Sequence, residues 1–116
     1  VRKQALIFDV LHGIIDRGGK ERLIARIERL VRWEGDCLIW TGAKKSNGYG
    51  AINFRHDGKH EQFKIHAVFA TLMTCAPIPD DMEVDHICNN RLCVRHLRLV
   101  TRQENLRVRD EKRKRS

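Results

Sequence analysis

No stretch of the chain is apolar for long enough to cross a bilayer. The opening, Val1 to Asp9, has one short apolar patch and lacks the layout of a secretory leader. A membrane-spanning or exported protein is not expected. The reading is a cytoplasmic protein of a bacterial or phage-infected cell, or a nuclear one in a eukaryote. Acidic residues are also scarce, with 15 Asp+Glu against 23 Lys+Arg and a formal net charge of +8. Such an excess suits a phosphate-rich partner, because basic side chains that settle on phosphates release condensed counterions. Large apolar residues become few after position 75. That part of the chain needs a clip besides its core. At 116 residues there is room for one domain and a short appendage.

The C-terminal part is rich in cysteine and histidine. Near residue 85 the chain reads D-H-I-C-N-N-R-L-C-V-R-H-L, and T-R-Q-E-N follows shortly after. Four residues separate Cys88 from Cys93, and His96 comes three after Cys93. Without export, thiols at this spacing favour a metal over a disulfide. A closed zinc site takes four ligands in a tetrahedron. The fourth must come from elsewhere, and Cys37 is preferred because it starts a strand with no other use for a thiol. Cys75 is the competitor; it follows an apolar helical stretch and reads as a buried small hydrophobe. Binding energy at such a site is folding energy.

Asp85, His86 and Asn105 offer a second chemistry. An imidazole titrates near neutrality and can take a proton from water. A hard divalent ion prefers oxygen, from Asp85 and from the side-chain amide of Asn105. If the segment 84–87 is extended, Asp85 and His86 point to opposite faces, unless a twist or a hairpin end brings both to one ion.

The organisation around these residues follows from periodicity. Leu6, Ile7, Val10, Leu11 and Ile14 form one helical face. Gly18 and Gly19 break it, and residues 20–31 repeat it with Leu23, Ile24, Ile27, Leu30 and Val31. Strands are expected at Cys37–Trp40, Tyr49–Phe54 and Gln62–Ile65, with turns at Ser46-Asn47-Gly48 and Asp57-Gly58. A helix is expected over 65–73, ended by Pro77 and Pro79. Thr101 with Glu104 reads as a capping box that opens a last helix.

The blocks D-C-L-I-W-T-G, N-G-Y-G, I-P-D-D-M-E-V-D-H-I-C-N-N-R-L-C and H-L-R-L-V-T-R-Q-E-N occur in that order between Trp33 and Arg109. Together they resemble the HNH endonucleases and, within them, the zinc-bearing His-Cys box branch of homing enzymes. The resemblance implies an α+β fold: a small ββα-metal (His-Me finger) nuclease core with antiparallel β-hairpins, a structural zinc site and short N-terminal helices. It divides the chain into an N-terminal helical appendage at 1–32, for packing or dimerisation, a nuclease domain at 33–110 and a basic tail at 111–116. It implies His86 as general base, and Asn105 and Asp85 as ligands of a catalytic magnesium or manganese ion. Asn90 resembles the family's turn asparagine between the two cysteines. Members commonly have about four residues between the second cysteine and the histidine, whereas here only Val94 and Arg95 intervene. His96 then either completes the zinc site or braces the loop through a backbone hydrogen bond.

The expected partner is double-stranded DNA, and residues 4–31 offer a surface for a homodimer. Arg55, Lys59 and Lys64 lie on or near the 49–65 hairpin, a shape that enters the major groove. Lys44 and Lys45 flank a turn and suit phosphate contacts. Arg91, Arg95, Arg98 and Arg102 surround the active region, and Arg109 belongs to a basic trail leading to the tail. His66 lies where related proteins carry a histidine beside the active region, and it reads equally well as a packing or capping residue. The metal-dependent DNA endonuclease is the favoured function. A zinc-stabilised DNA-binding module that does not cut, and a nonspecific nuclease, are the alternatives.

Overall fold

A computed structural model describes residues 3–88, 90, 92–101, 103 and 104. The expectations for Arg91, Arg102, Asn105, Arg109 and the 111–116 tail fall outside these residues.

Two helices open the chain. Helix α1 (Lys3–Asp16) buries Ile7, Val10 and Leu11, one face at i, i+3 and i+4 spacing. It stops at Gly18, which takes the left-handed conformation at φ 78° and, with Gly19, returns its amides to the carbonyls of Ile15 and Ile14. Helix α2 (Lys20–Glu28) buries Leu23 and Ile27. It ends earlier than the periodicity predicts. Val31 instead begins strand β1 (Val31–Glu34), which pairs antiparallel with β2 (Cys37–Trp40) in the register Val31↔Trp40 to Glu34↔Cys37. The Leu30 carbonyl takes the Thr41 amide at 2.7 Å, so the hairpin captures the backbone that a longer helix would have used. A β-branched residue opposite a buried tryptophan is well placed in such a ladder.

Strands β3 (Ala51–His56) and β4 (Lys59–Lys64) form a second antiparallel hairpin. Its two-residue turn, Asp57-Gly58, has both φ angles positive, the geometry that matches the strand twist. Phe54 and Phe63 face inward from it. Helix α3 (Ile65–Thr74) follows directly and is buried at Ile65, His66, Ala67, Val68, Ala70 and Thr71. It ends before Pro77, at Cys75, which adopts φ 53° and donates its amide to the Thr71 carbonyl. Strands β5 (Met82–His86) and β6 (Leu97–Thr101) make the third hairpin, from Met82↔Thr101 to His86↔Leu97. The Glu104 amide donates to Thr101 Oγ1 at 3.2 Å, which is the expected cap, and residues 103 and 104 are helical.

Among the described residues the architecture is therefore α+β, with three two-stranded antiparallel hairpins, two N-terminal helices and α3. α3 is the central element and packs on α1, β4, β5 and β6. One apolar cluster joins Ile7, Leu23, Trp40, Phe63, Val68 and Val94. The N-terminal helices thus share their core with the hairpins. Trp40 anchors the middle of the chain, and its indole nitrogen donates to the Ala43 carbonyl at 3.0 Å. Two glycines make room for that ring. A Cβ on Gly42 would lie 2.6 Å from Trp40 Cζ2, and one on Gly50 would collide with Trp40 and lie 2.6 Å from Ile65 Cγ2.

Candidate metal centre and adjoining histidine cluster

The loop between β5 and β6, residues 87–96, is fixed to β2. Trp40 donates its amide to the Leu92 carbonyl at 2.8 Å, and Val94 donates to the Leu38 carbonyl at 2.8 Å. These bonds flank an antiparallel bridge between Ile39 and Cys93. Asn90 shapes the turn: its Oδ1 accepts the Leu92 amide at 3.0 Å and its carbonyl accepts the Cys93 amide at 3.1 Å. At the far end the Ile87 amide donates to the His96 carbonyl at 2.8 Å, which closes the loop onto its own hairpin.

This pinning brings together Cys37, Cys88, Cys93 and His96, whose ligand atoms all lie within 4.8 Å of one another. Cys37 Sγ is 3.7 Å from Cys88 Sγ and 3.6 Å from His96 Nδ1, and Cys93 Sγ is 3.5 Å from the same nitrogen. A tetrahedron with Zn–S bonds of about 2.3 Å has edges of about 3.8 Å, so the spacing fits zinc. The two-residue gap before His96 is long enough because Val94 turns into the core and hands the chain back toward the site. His96 Nδ1 thus lies among the thiols, in the group that could hold the ion. Cys75 is excluded. It is exposed at the end of α3, where its thiol contacts the Leu72 carbonyl at 3.5 Å, so the expectation of a buried small hydrophobe is corrected. The left-handed turn that ends the helix points this residue away from the core.

The thiols share their protons unequally. Burial pushes Cys93 up, but the backbone amides of His96 and Arg95 and the neighbouring thiols outweigh it and hold Cys93 down at about 6. Cys37 is pushed up to about 12, chiefly by its hydrogen bond with Cys93, then by burial and by Cys88. A cation that replaces the shared protons removes this mutual repulsion.

The last two residues of β5, Asp85 and His86, are both buried. Asp85 faces its register partner Arg98 across the hairpin and accepts from Arg98 Nε at its Oδ2, 3.1 Å away. His86 joins a ring cluster. The His66 ring lies edge-on at 4.8 Å, and the Tyr49 ring lies 5.6 Å from His86 and 5.3 Å from His66. His66 comes from the first turn of α3, and Tyr49 from the turn set by Asn47, whose Oδ1 takes the Tyr49 amide at 3.1 Å. Burial, then the nearby His86, Lys64 and Lys45, pull His66 down to about 3, so its imidazole is neutral at ordinary pH. Tyr49 joins the cluster from outside the candidate site motifs. The N-G-Y-G block and the fact that it is the chain's single tyrosine were the available signals.

The basic residues fall in several places. Lys45 and Lys64 border a cavity that Tyr49 and His66 also line. Arg55 and Lys59 sit near the tip of the β3–β4 hairpin, and Lys44 bridges Gly50. Arg95 donates to the Asp36 carbonyl at 2.8 Å and stacks over Trp33, ring centroid 5.3 Å away, beside the metal loop. Arg98 is engaged with Asp85. Among the described residues no helix is long and apolar enough to cross a membrane.

Residues 64–107 match a family described as HNH endonuclease. That segment spans α3, the β5–β6 hairpin with its metal loop, and Asn105; Cys37 lies outside it. The chain is also similar to Protein 7.7 of Escherichia phage T7, with 34% identity over 74 residues, 60% of this chain and 52% of that protein. The chain spans about half the length of this curated relative. No solved structure matches it significantly.

Two outcomes follow. Metal analysis should find one zinc per chain in the wild type and in Cys75→Ser, whereas Cys37→Ser should lose it and melt at a lower temperature. The second concerns pH. Unfolding returns His66 from about 3 to its ordinary 6.5, so only the unfolded chain takes up this proton between those values. Its contribution to stability is complete above about pH 6.5 and is lost as pH falls through that window, by up to about 1.4 kcal/mol per unit. Urea unfolding at a series of pH values should show His66→Phe with a flatter acid limb than the wild type.

Proposed function

Because the chain carries an HNH-type fold closed by a Cys3His metal cluster, we propose that it is a metal-dependent DNA endonuclease of the homing type. One observation carries this reading: His86 stands buried at the hairpin end, two residues from Cys88 of the Cys3His cluster, with its ring packed against those of His66 and Tyr49. An imidazole held in that way loses little freedom when it acts, which is what a general base needs. His86 takes a proton from the attacking water, and the water adds in line to phosphorus. Asp85 and Asn105 are the residues that would hold magnesium or manganese. Such an ion supplies Lewis-acid stabilisation to the departing 3′ oxygen. Arg98 Nε donates to Asp85 Oδ2 at 3.1 Å, which orients the carboxylate that would hold the ion. The products are a 5′ phosphate and a 3′ hydroxyl.

Lys44, Lys45, Arg55, Lys59, Lys64, Arg91, Arg95, Arg98, Arg102 and Arg109 supply the positive field that holds the duplex. Residues 4–31 offer the surface for a dimer, which would place two active sites on two strands.

The Asp85–Arg98 pair favours one other reading. A carboxylate already neutralised by a guanidinium needs no metal, and a zinc-stabilised DNA-binding module would retain it as a structural pair.

Plasmid cleavage with magnesium separates the two. The wild type should convert supercoiled DNA to open-circle or linear form, and His86→Ala should lose about 10²- to 10⁴-fold in rate while still retarding DNA in a gel. A wild type that binds DNA and leaves the plasmid intact would support the binding module instead.

A further inference from the structure

Where α1, the 45–49 turn, β4 and β5 meet lies a cavity of about 380 Å³. It is much larger than a water site, since one water takes about 30 Å³ of liquid, and it lies within the range of small-molecule pockets. Lys3, Lys45 and Lys64 bring three ammonium groups to its wall, against the one carboxylate of Glu83. Its inner wall includes Tyr49 and His66, the two rings that pack on His86. The Nδ1 of His66 is buried and has no hydrogen-bond partner among the described residues, although the side chain is more than nine-tenths buried. A buried polar atom without a partner costs about 1–3 kcal/mol, and a ligand that supplies the bond recovers it.

These features specify a ligand. The ammonium groups call for phosphate. A bare phosphate would leave most of the volume to water and would face Glu83 as a like charge. A nucleotide, with base, sugar and phosphate, takes up far more of it, and its base offers N–H groups to a carboxylate and stacks on aromatic rings. We propose that the cavity receives one unstacked nucleotide of the substrate strand, its phosphate toward Lys45 and Lys64 and its base against Tyr49 and His66. The nucleotide would then press on the far side of the rings that hold His86. A duplex delivers a base to such a cavity only by turning it out of the stack, so the site favours a strand that is locally open. His66 is neutral at ordinary pH, so its ring can either donate to a base or accept from it. The inference rests on the nucleic-acid reading above and adds α1, through Lys3, to the binding surface.

The test uses the full zinc-loaded chain without magnesium, so that no cleavage intervenes. Each of the four deoxynucleoside 5′-monophosphates, and inorganic phosphate alone, is titrated while the His66 and Tyr49 ring signals are followed by NMR. The expected result is that at least one nucleotide moves both rings and binds about tenfold more tightly than phosphate. The double variant Lys45→Gln with Lys64→Gln should weaken it by about tenfold or more and retain its zinc. Phosphate binding as tightly as every nucleotide would overturn the proposal, as would nucleotide binding that the double variant leaves unchanged, or no shift of either ring. A protein that cuts plasmid but fails this titration loses the pocket and keeps the nuclease. One that passes it and never cuts keeps the pocket and loses the nuclease.

Discussion

The clamp of the 87–96 loop onto β2 is the constraint on which the rest depends. Two backbone bonds, from Trp40 to Leu92 and from Val94 to Leu38, lay the loop beside a strand fifty residues earlier in the chain. The same strand carries Cys37, so the backbone register alone brings the remote thiol to Cys88, Cys93 and His96. A metal ion held by these four would lock what the ladder has aligned. The strand cannot slip by one residue without exposing Trp40 and turning Cys37 to the wrong face.

The clamp organises the functional end of the molecule from outside it. His86 is the last residue of β5, and its neighbour Ile87 is tied to His96, a metal ligand. On the other side His66 and Tyr49 press on its ring. His86 is thus held between a metal-fixed loop and a packed helix start. That placement leaves its ring little freedom to lose, which is what the proposed role as general base needs. The cost is visible in His66, an imidazole kept neutral by burial against its ordinary tendency to protonate.

Much of this was legible in the sequence because local chemistry decides it. Cys88, Cys93 and His96 declared a metal loop by spacing, and Cys37 declared itself by starting a strand with no other use for a thiol. The Asp57-Gly58 turn and the Thr101–Glu104 cap appear where their residues predict. What was not legible depends on distant partners. Val31 reads as the end of a helical stripe, and only Trp40 across the ladder makes it a strand residue. Cys75 reads as buried after an apolar run, and only the left-handed end of α3 turns it outward. The pairing of Asp85 with Arg98 needs the hairpin register, and the ring cluster needs α3, β5 and the 47–49 turn to meet. No periodicity contains that meeting point. The cavity behind it likewise exists only because α1 closes over β4 and β5.

The central claim is that the metal holds the loop on β2 and thereby fixes the hairpin end that carries His86. Amide hydrogen exchange, residue by residue, with zinc bound and after chelation, tests it most directly. The account expects the amides of Trp40, Val94 and Ile87 to be protected with zinc and to exchange quickly without it, while those of Asn53 and Gln62 in the β3–β4 hairpin change little. Equal protection of Trp40, Val94 and Ile87 in both states would contradict it.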